Sequence, residues 1–339
     1  KLRVGYNPHK DKETFEANYL HQIVIPVYIP NFEGYFKDSF QILQKCINSL
    51  LATIHDKTFV TIINNGSCIE IQNYLDTLYE NNQIHEVIHT ENIGKLNAIL
   101  KGISGNNIPY VTISDSDVLF CSNWQEETMN VFYHFKKAGV VGTTPQFKMY
   151  ETNCGNVLFD NLFLLKLEFS KVASPNELVK FYESIGWDKN YNQNYLKYHL
   201  TISNPNCTTV VGAGHFVATY KKALFDTIPT FIGYKMGGFS EAFLDQIPLK
   251  FGLWRLTTAK NFTFHMGNVA EEWMDDEISS IKRDNNFNFE LYQQKYLIKR
   301  ISKVGYFIKN KIMAKLLLKS FKGLFYSYFK LPKAFRNKY

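Results

Sequence analysis

The sequence predicts an α/β fold: a mostly parallel sheet flanked by helices, followed by a basic helical tail. Three observations carry that expectation. Short β-branched apolar runs alternate with segments of helical apolar spacing through the first 115 positions, the pattern of strand–helix–strand units. Polar clusters at 64–67, 91–95 and 115–117 stand at the ends of those runs, where the ligands of such sheets bind. The charge is split: positions 291–339 hold 13 Lys/Arg and no Asp/Glu, which leaves 25 basic and 31 acidic residues for the rest of a chain of net charge +7.

With 339 residues, 45% of them apolar, the chain is long enough for one large core or two intimate halves. Its 28 Phe and 21 Tyr exclude a disordered chain. No apolar run reaches the ~18 residues of a membrane span. Positions 1–20 read as a polar lead-in without a signal peptide. The chain starts at Lys1 rather than Met, so a leader ahead of it stays open. Cys46, Cys68, Cys121, Cys154 and Cys207 include no Cys-x-x-Cys pair. Neither a disulfide framework nor a zinc knuckle is expected, and buried, reduced thiols suit a cytosolic compartment.

The elements follow in order. Positions 22–28 read as a buried strand with Pro26 marking its end. Apolar residues at 42, 43, 46, 47, 50, 51 and 54 set a helix over 38–54, capped by Asp38 or Ser39. Positions 58–63 form a second strand, and Asn64-Asn65-Gly66-Ser67 its turn. Ile71, Leu75 and Leu78 mark a second helix, 85–89 a third strand, and Leu96, Ile99, Leu100 and Ile103 a third helix. A fourth strand, 109–114, runs into Asp115-Ser116-Asp117. Beyond 130, strands are expected at 140–144 and at 208–220, the latter broken at Gly212-Ala213-Gly214. A partly helical stretch at 237–255 and a strand at 261–265 complete the body. Without repeats or linkers, the division is 1–20 lead-in, 21–130 first half, 131–268 second half and 269–339 tail, in one fold rather than two separable domains.

Asp115 and Asp117 lie two apart in extended chain and so point to one side. Two carboxylates on one side beyond a sheet edge bind a cation or repel each other. Oxygen ligands suit Mn2+ or Mg2+, which can hold a diphosphate. A solvated loop or turn cap is the plainer alternative.

Four motifs carry a resemblance by their order and spacing: Ile25-Pro26-Val27-Tyr28, Asn64-Asn65-Gly66-Ser67, Asn92-Ile93-Gly94-Lys95-Leu96-Asn97 and Thr112-Ile113-Ser114-Asp115-Ser116-Asp117. Together they resemble the nucleotide-sugar half of the family 2 glycosyltransferases of GT-A fold. Gly237-Gly238-Phe239-Ser240-Glu241, with Asp245 and Arg255 after it, resembles the acceptor-side segment of that family, and His265 its late metal-joining histidine. The resemblance spans about 21–268. It implies a GT-A-like Rossmann-type sheet and a metal-dependent, inverting glycosyltransferase. Such an enzyme moves a sugar from a nucleotide-diphosphate sugar to a hydroxyl of a glycan or lipid-linked acceptor in surface polysaccharide synthesis.

The same resemblance distributes roles. Pro26 and Tyr28 would lie near the base with Asn64 and Asn65, where the family usually carries Asp; an amide both donates and accepts. Asn92 and Ser116 join the donor set, and Lys95 or Asn97 would reach the diphosphate or ribose. Asp117 would be the direct ligand of Mn2+ or Mg2+, Asp115 would hold the ribose or a metal-bound water, and His265 would be the third ligand. Inversion needs a carboxylate base; Asp245 takes that role, with Glu241 as the other candidate. Trp124, Tyr150 and Trp187 are candidates for stacking on sugar rings, and His215 for the acceptor side. Two rivals remain. A sugar-nucleotide pyrophosphorylase usually has a Gly-rich basic N-terminal loop that is missing here. A non-catalytic carbohydrate-binding protein of the same fold would release no nucleotide.

In the tail, apolar residues at 308, 312, 316, 317, 321, 324, 325 and 328 take one face, and Lys311, Lys315, Lys319 and Lys322 another. This is a basic amphipathic helix, expected to lie on an anionic membrane surface and to make the protein peripheral at the cytosolic membrane face. Packing on the body with a solvated lysine face is the alternative. No nucleic-acid partner is expected, because bulky aliphatics separate the lysines and no recognised binding motif is present.

Overall fold

The computed structural model describes residues 5, 8, 10, 18–164, 166–188, 190–226, 231–233, 238–282, 287–293 and 298–339, with the side chains of 238–241 outside that description. Gly237, Glu241's carboxylate and most of the lead-in therefore lie outside the described residues.

Strands β1 (His21–Val27), β2 (Thr58–Asn65), β3 (Glu86–Thr90) and β4 (Tyr110–Ser114) stand in the order β3-β2-β1-β4, all parallel. Parallel neighbours need crossovers, and these are α1 (Ser39–Thr53), α2 (Ile69–Glu80) and α3 (Lys95–Ile103). β1, β2 and β4 read as apolar runs because both sheet faces are covered there, whereas the edge strand β3 is only partly buried. Helix α1 packs Ile42, Leu43, Cys46 and Ile47 on one face; α3 packs Leu96, Ile99 and Ile103 on the other. Pro26 sits inside β1 rather than at its end. It is tolerated because the ladder with β4 stops at Val24, opposite Ile113.

After β4 come β5 (Val118–Phe120), α4 (Trp124–His134), β6 (Ala138–Gly142), α5 (Gly155–Asn161), β7 (Leu167–Lys171), α6 (Pro175–Ser184) and β8 (Tyr198–Asn204). Then follow β9 (Cys207–Val211), β10 (Val217–Lys221), α7 (Gly238–Gln246), β11 (Trp254–Thr258), β12 (Thr263–His265) and α8 (Glu272–Ser280). The sheet continues from β4 as β10-β6-β11-β9-β8-β7. Following the ladders across it, seven of its ten strands share one direction; β7, β9 and β10 oppose them. β5 and β12 form a separate antiparallel pair.

The 208–220 stretch divides at 212–214 into β9 and β10, which lie apart in the sheet. The 237–255 stretch is helical only in α7 and a short turn at Pro248–Phe251, and β11 begins at Trp254. Trp124 and Tyr150, offered as sugar platforms, are core residues. Trp124 is fully buried with its Nε1 donating to Thr53 Oγ1 at 3.1 Å, and Tyr150 packs with Phe325 and Phe169. All five cysteines are free, three of them buried.

The tail differs from a detached amphipathic helix. It is helical from 303 to 320, with π turns at Ile308–Ile312 and Leu316–Ser320, breaks at Phe321, and resumes over Lys322–Tyr328. Phe325, Tyr326, Phe329, Leu331 and Tyr339 fill a core cluster with Tyr150, Phe169 and Leu200. Phe169 N donates to Phe329 O at 2.8 Å, and Lys309 pairs with the buried Asp160 at 2.6 Å. The expected apolar stripe is thus divided: Phe325 turns inward, whereas Ile308, Ile312, Leu316, Phe321, Leu324 and Tyr328 are exposed. Among the described residues, no helix is long and apolar enough to cross a membrane.

Candidate active site

A cavity of about 380 Å³ opens at the carboxyl ends of β1, β2 and β4. Pro26, Tyr28, Asn65, Asn92, Lys95, Asp115, Ser116 and Asp117 line it, so most of the expected donor set converges. The turn after β2 makes this possible. Gly66 has φ +88°, and a Cβ there would lie 2.8 Å from Asn92 N. Only glycine lets the two polar loops approach so closely. Asn65 Oδ1 then accepts from Ile93 N at 3.0 Å, and Asn92 Oδ1 from Gly94 N at 3.1 Å, which orders the loop ahead of α3.

Two expected donor residues are engaged elsewhere. Asn64 is buried, accepting from Ser67 N at 2.9 Å and pairing through Nδ2 with His89 Nδ1 at 3.0 Å. Asn97 bridges Ile93 O and Ile232 O through Nδ2 and accepts from Ile232 N through Oδ1. Neither lines the cavity. Sequence reasoning missed its aromatic wall, Tyr35 and Phe36, with Tyr28 edge-on to Phe36 at 6.1 Å. The cue was present in the aromatic cluster around Gly34, just past the strand.

Asp115, Asp117 and His265 have ligand atoms within 4.8 Å of one another. Their meeting follows from the small β5-β12 ladder, which sets His265 opposite Val118, the neighbour of Asp117. Met266 N donates to Asp117 O at 2.7 Å, and Asp115 N to Phe216 O at 2.8 Å, fixing both backbones. Lys95 Nζ lies 2.5 Å from Asp115 Oδ1, so that carboxylate already has a counter-charge. Asp117 Oδ1 is buried without a hydrogen-bond partner among the described residues. Burial pushes the Asp117 carboxyl up to about 6, opposed by His265 and reinforced by Asp115.

Two carboxylates and an imidazole around an orphaned carboxylate oxygen fit a hard divalent cation such as Mn2+ or Mg2+. His265 Nδ1 accepts from Gly267 N at 3.1 Å. In the neutral ring that leaves the proton on Nε2, which faces Asp117 Oδ2 at 3.5 Å. Ligation through Nε2 would therefore need the other tautomer, with the proton on Nδ1 and the bond from Gly267 N given up.

A second cavity, also about 380 Å³, is lined by Gln146, Phe147, His215, Phe216, Asp245 and Arg255 among others. Arg255, only 3% exposed, donates from Nη2 to Asp245 Oδ1 at 2.6 Å and from Nη1 to Thr152 O at 3.1 Å, and also contacts Ala213 O. His215 Nδ1 lies 3.8 Å from Asp245 Oδ2. Phe216 lines this cavity, its ring packs 5.8 Å from that of His265, and its carbonyl accepts from Asp115 N at 2.8 Å. Trp187 stays half-exposed, stacked on Tyr182 at 5.2 Å and near Phe147.

A family model described as "Glycosyl transferase family 2" matches residues 23–228, more than half of the chain. A "Poly-beta-1,6-N-acetyl-D-glucosamine synthase" of Staphylococcus aureus (strain COL) is 27% identical over 115 residues, 34% of this chain and 28% of the relative. The chain thus matches less than a third of that relative's length. Similar solved structures include S. aureus TarS, at 12% identity over 78% of this chain and 41% of that one, with TM-score 0.42. Another is the mannosyltransferase PcManGT from Pyrobaculum calidifontis in complex with GDP-Man and Mn2+, at 14% identity over 73% and 56%, with TM-score 0.39.

Proposed function

The chain belongs to glycosyl transferase family 2, its glycosyltransferase domain matched over 23–228, and we propose that it is a metal-dependent, inverting enzyme. It moves a sugar from a nucleotide-diphosphate sugar to a hydroxyl of a glycan or lipid-linked acceptor in the synthesis of a surface polysaccharide. The observation that carries the reading is the meeting of Asp115, Asp117 and His265, with Lys95 paired to Asp115, at the carboxyl ends of the parallel strands; a second cavity holds a carboxylate clamped by a buried arginine.

In this reading the donor's base lies against Tyr28, Pro26 and Asn65, and its diphosphate meets Lys95, which can exchange Asp115 for phosphate oxygens. Asp117 and His265, with Asp115, would hold Mn2+ or Mg2+, which when bound offsets the charge that builds on the leaving diphosphate. Asp245 takes the proton of the acceptor hydroxyl as its oxygen bonds to the anomeric carbon from the face opposite the diphosphate. The bond to the diphosphate breaks on the other face, so the configuration inverts. Arg255 holds Asp245 in place. The name of the matched synthase supports a polysaccharide product. A peripheral position at the cytosolic membrane face completes the reading, supported by the basic composition of the tail.

The test is release of nucleoside diphosphate from a panel of nucleotide sugars, with and without Mn2+, in wild type and Asp117→Ala. Metal-dependent release lost in the variant is expected. Undiminished release in EDTA would overturn the metal reading, and no release from any donor would leave a binding protein.

A further inference from the structure

We propose that the bilayer-facing surface is built jointly by the tail and by the body loop 162–164, so that the protein meets an anionic bilayer as one preformed face, with the tail folded on. This rests on the membrane reading above and specifies which residues enter the lipid.

The exposed positions of the tail recur every four residues. Val304, Ile308, Ile312 and Leu316 form an apolar row, beside a second row of Lys303, Phe307, Lys311, Lys315 and Lys319. An α-turn holds 3.6 residues and a π turn more than four, so alternating the two keeps a four-residue row straight along the helix. The opposite side is fixed to the body. Asn310 is buried, and Gly155 of α5 faces Lys309 O and Asn310 so closely that a Cβ there would lie 2.6 Å from the carbonyl. Lys309 pairs with Asp160 and covers the Phe159 ring.

The body contributes the loop just after α5. Phe163 is 84% exposed and Leu164 55% exposed, in a protein with ample core to bury them. Tyr328 Oη donates to Leu162 O at 2.5 Å, which sets this loop against the second tail helix, whose Leu324 and Tyr328 are also exposed.

The chemistry selects an anionic bilayer as the occupant. Positions 291–339 hold no acidic residue to repel phosphate headgroups. Lysines standing beside an apolar row extend their stems over lipid and keep their charges in the headgroup layer. The core of a protein interface, by contrast, is depleted in lysine.

Vesicle co-sedimentation of the full chain, with phosphatidylcholine alone and with 30% phosphatidylglycerol, tests this. All substituted positions are solvent-exposed, and circular dichroism checks that each variant is folded. Wild type should bind the anionic vesicles. F163S/L164S should weaken binding by about tenfold or more, and K311Q/K315Q/K319Q by about a hundredfold. F163W should shift its emission to the blue on anionic vesicles. If F163S/L164S binds like wild type while the lysine variant is released, the loop is not part of the face: this inference fails and the tail reading stands. If wild type binds neither vesicle, the membrane reading itself fails. A dimer in sedimentation velocity that F163S/L164S abolishes would make a second copy the occupant and overturn the proposal.

Discussion

Arg255 reaches Asp245 from inside the protein: its Nη2 lies 2.6 Å from Asp245 Oδ1, and its guanidinium is spread over the carbonyls of Thr152 and Ala213. One carboxylate oxygen is thereby tied to a buried fork, and the other lies toward His215 in the second cavity. A planar five-donor cation suits this task better than an ammonium would.

Asp245→Asn keeps the shape and removes the basicity, so transfer should fall by about 10²-fold or more while donor binding persists. Arg255→Lys should lower kcat through a misplaced carboxylate rather than through donor affinity. Steady-state kinetics with a saturating acceptor separates these effects. If Glu241→Gln is inactive and Asp245→Asn is not, the base is Glu241.

Metal binding should depend unequally on the three ligand candidates. Both Asp115 Oδ1 and Asp117 Oδ1 are buried without a hydrogen bond among the described residues, but Asp115 Oδ1 is ion-paired with Lys95 at 2.5 Å. Asp117→Ala should therefore weaken Mn2+ binding more than Asp115→Asn, as read by the electron paramagnetic resonance of free Mn2+. Equal losses would mean that Lys95 does not shield Asp115.

Three histidines make the fold acid-sensitive. Burial holds His21 neutral well below its ordinary range and pushes His55 and His199 down to about 4. The unfolded chain takes up these protons near 6.5. Between 6.5 and 4 it therefore binds more protons than the folded one, and stability falls as pH falls, by up to about 1.4 kcal/mol per pH unit for each histidine. Neither ring nitrogen of His199 has a hydrogen-bond partner among the described residues. His199→Leu should then preserve Tm at pH 7.5 and blunt its decline at pH 5. A wild-type Tm that is flat from pH 7.5 to 5 would contradict this account.

Asp160 binds the tail to the body. Burial alone would raise its carboxyl, but hydrogen bonds from Lys137, Lys309 and Trp254 outweigh burial and hold it below the usual range. Asp160→Asn should cost about 2–3 kcal/mol in urea unfolding at pH 7. A wild-type midpoint in that variant would mean that the apolar contacts of Phe325 and Phe329 suffice.

The first half of the fold was legible because β1, β2 and β4 are short apolar runs with polar clusters at their ends, and each crossover helix repeats apolar residues at helical spacing, even though α1 also buries Lys45, Ser49 and Thr53 and α3 Asn97. Helix α4 was not, because it buries Gln125 and Thr128, and Gln125 is spent on His55 N at 3.0 Å. In α4 these two residues stand between Trp124 and Met129, where the apolar spacing would otherwise recur. At the site, residue type pointed to Asp115, Asp117, Lys95 and Asp245 as candidates, but could not tell that Asn64 is taken up by Ser67 N and the His89 ring, and Asn97 by backbone groups of Ile93 and Ile232. Nor could the tail pattern show that Phe325 would meet Phe169 and Tyr150 in the core.

The position of β10 bears on how the chain is made. β4 finds its second neighbour only when Val217 arrives opposite Ser114, about a hundred residues later. At a synthesis rate of roughly 5–20 residues per second, that edge stays open for roughly 5–20 s on the ribosome. An unpaired, apolar edge strand is a template for the wrong partner. The half that carries the first cavity is therefore exposed to wrong pairing during translation. Slower growth or chaperone supply should raise soluble yield more than any change at the surface of the finished fold.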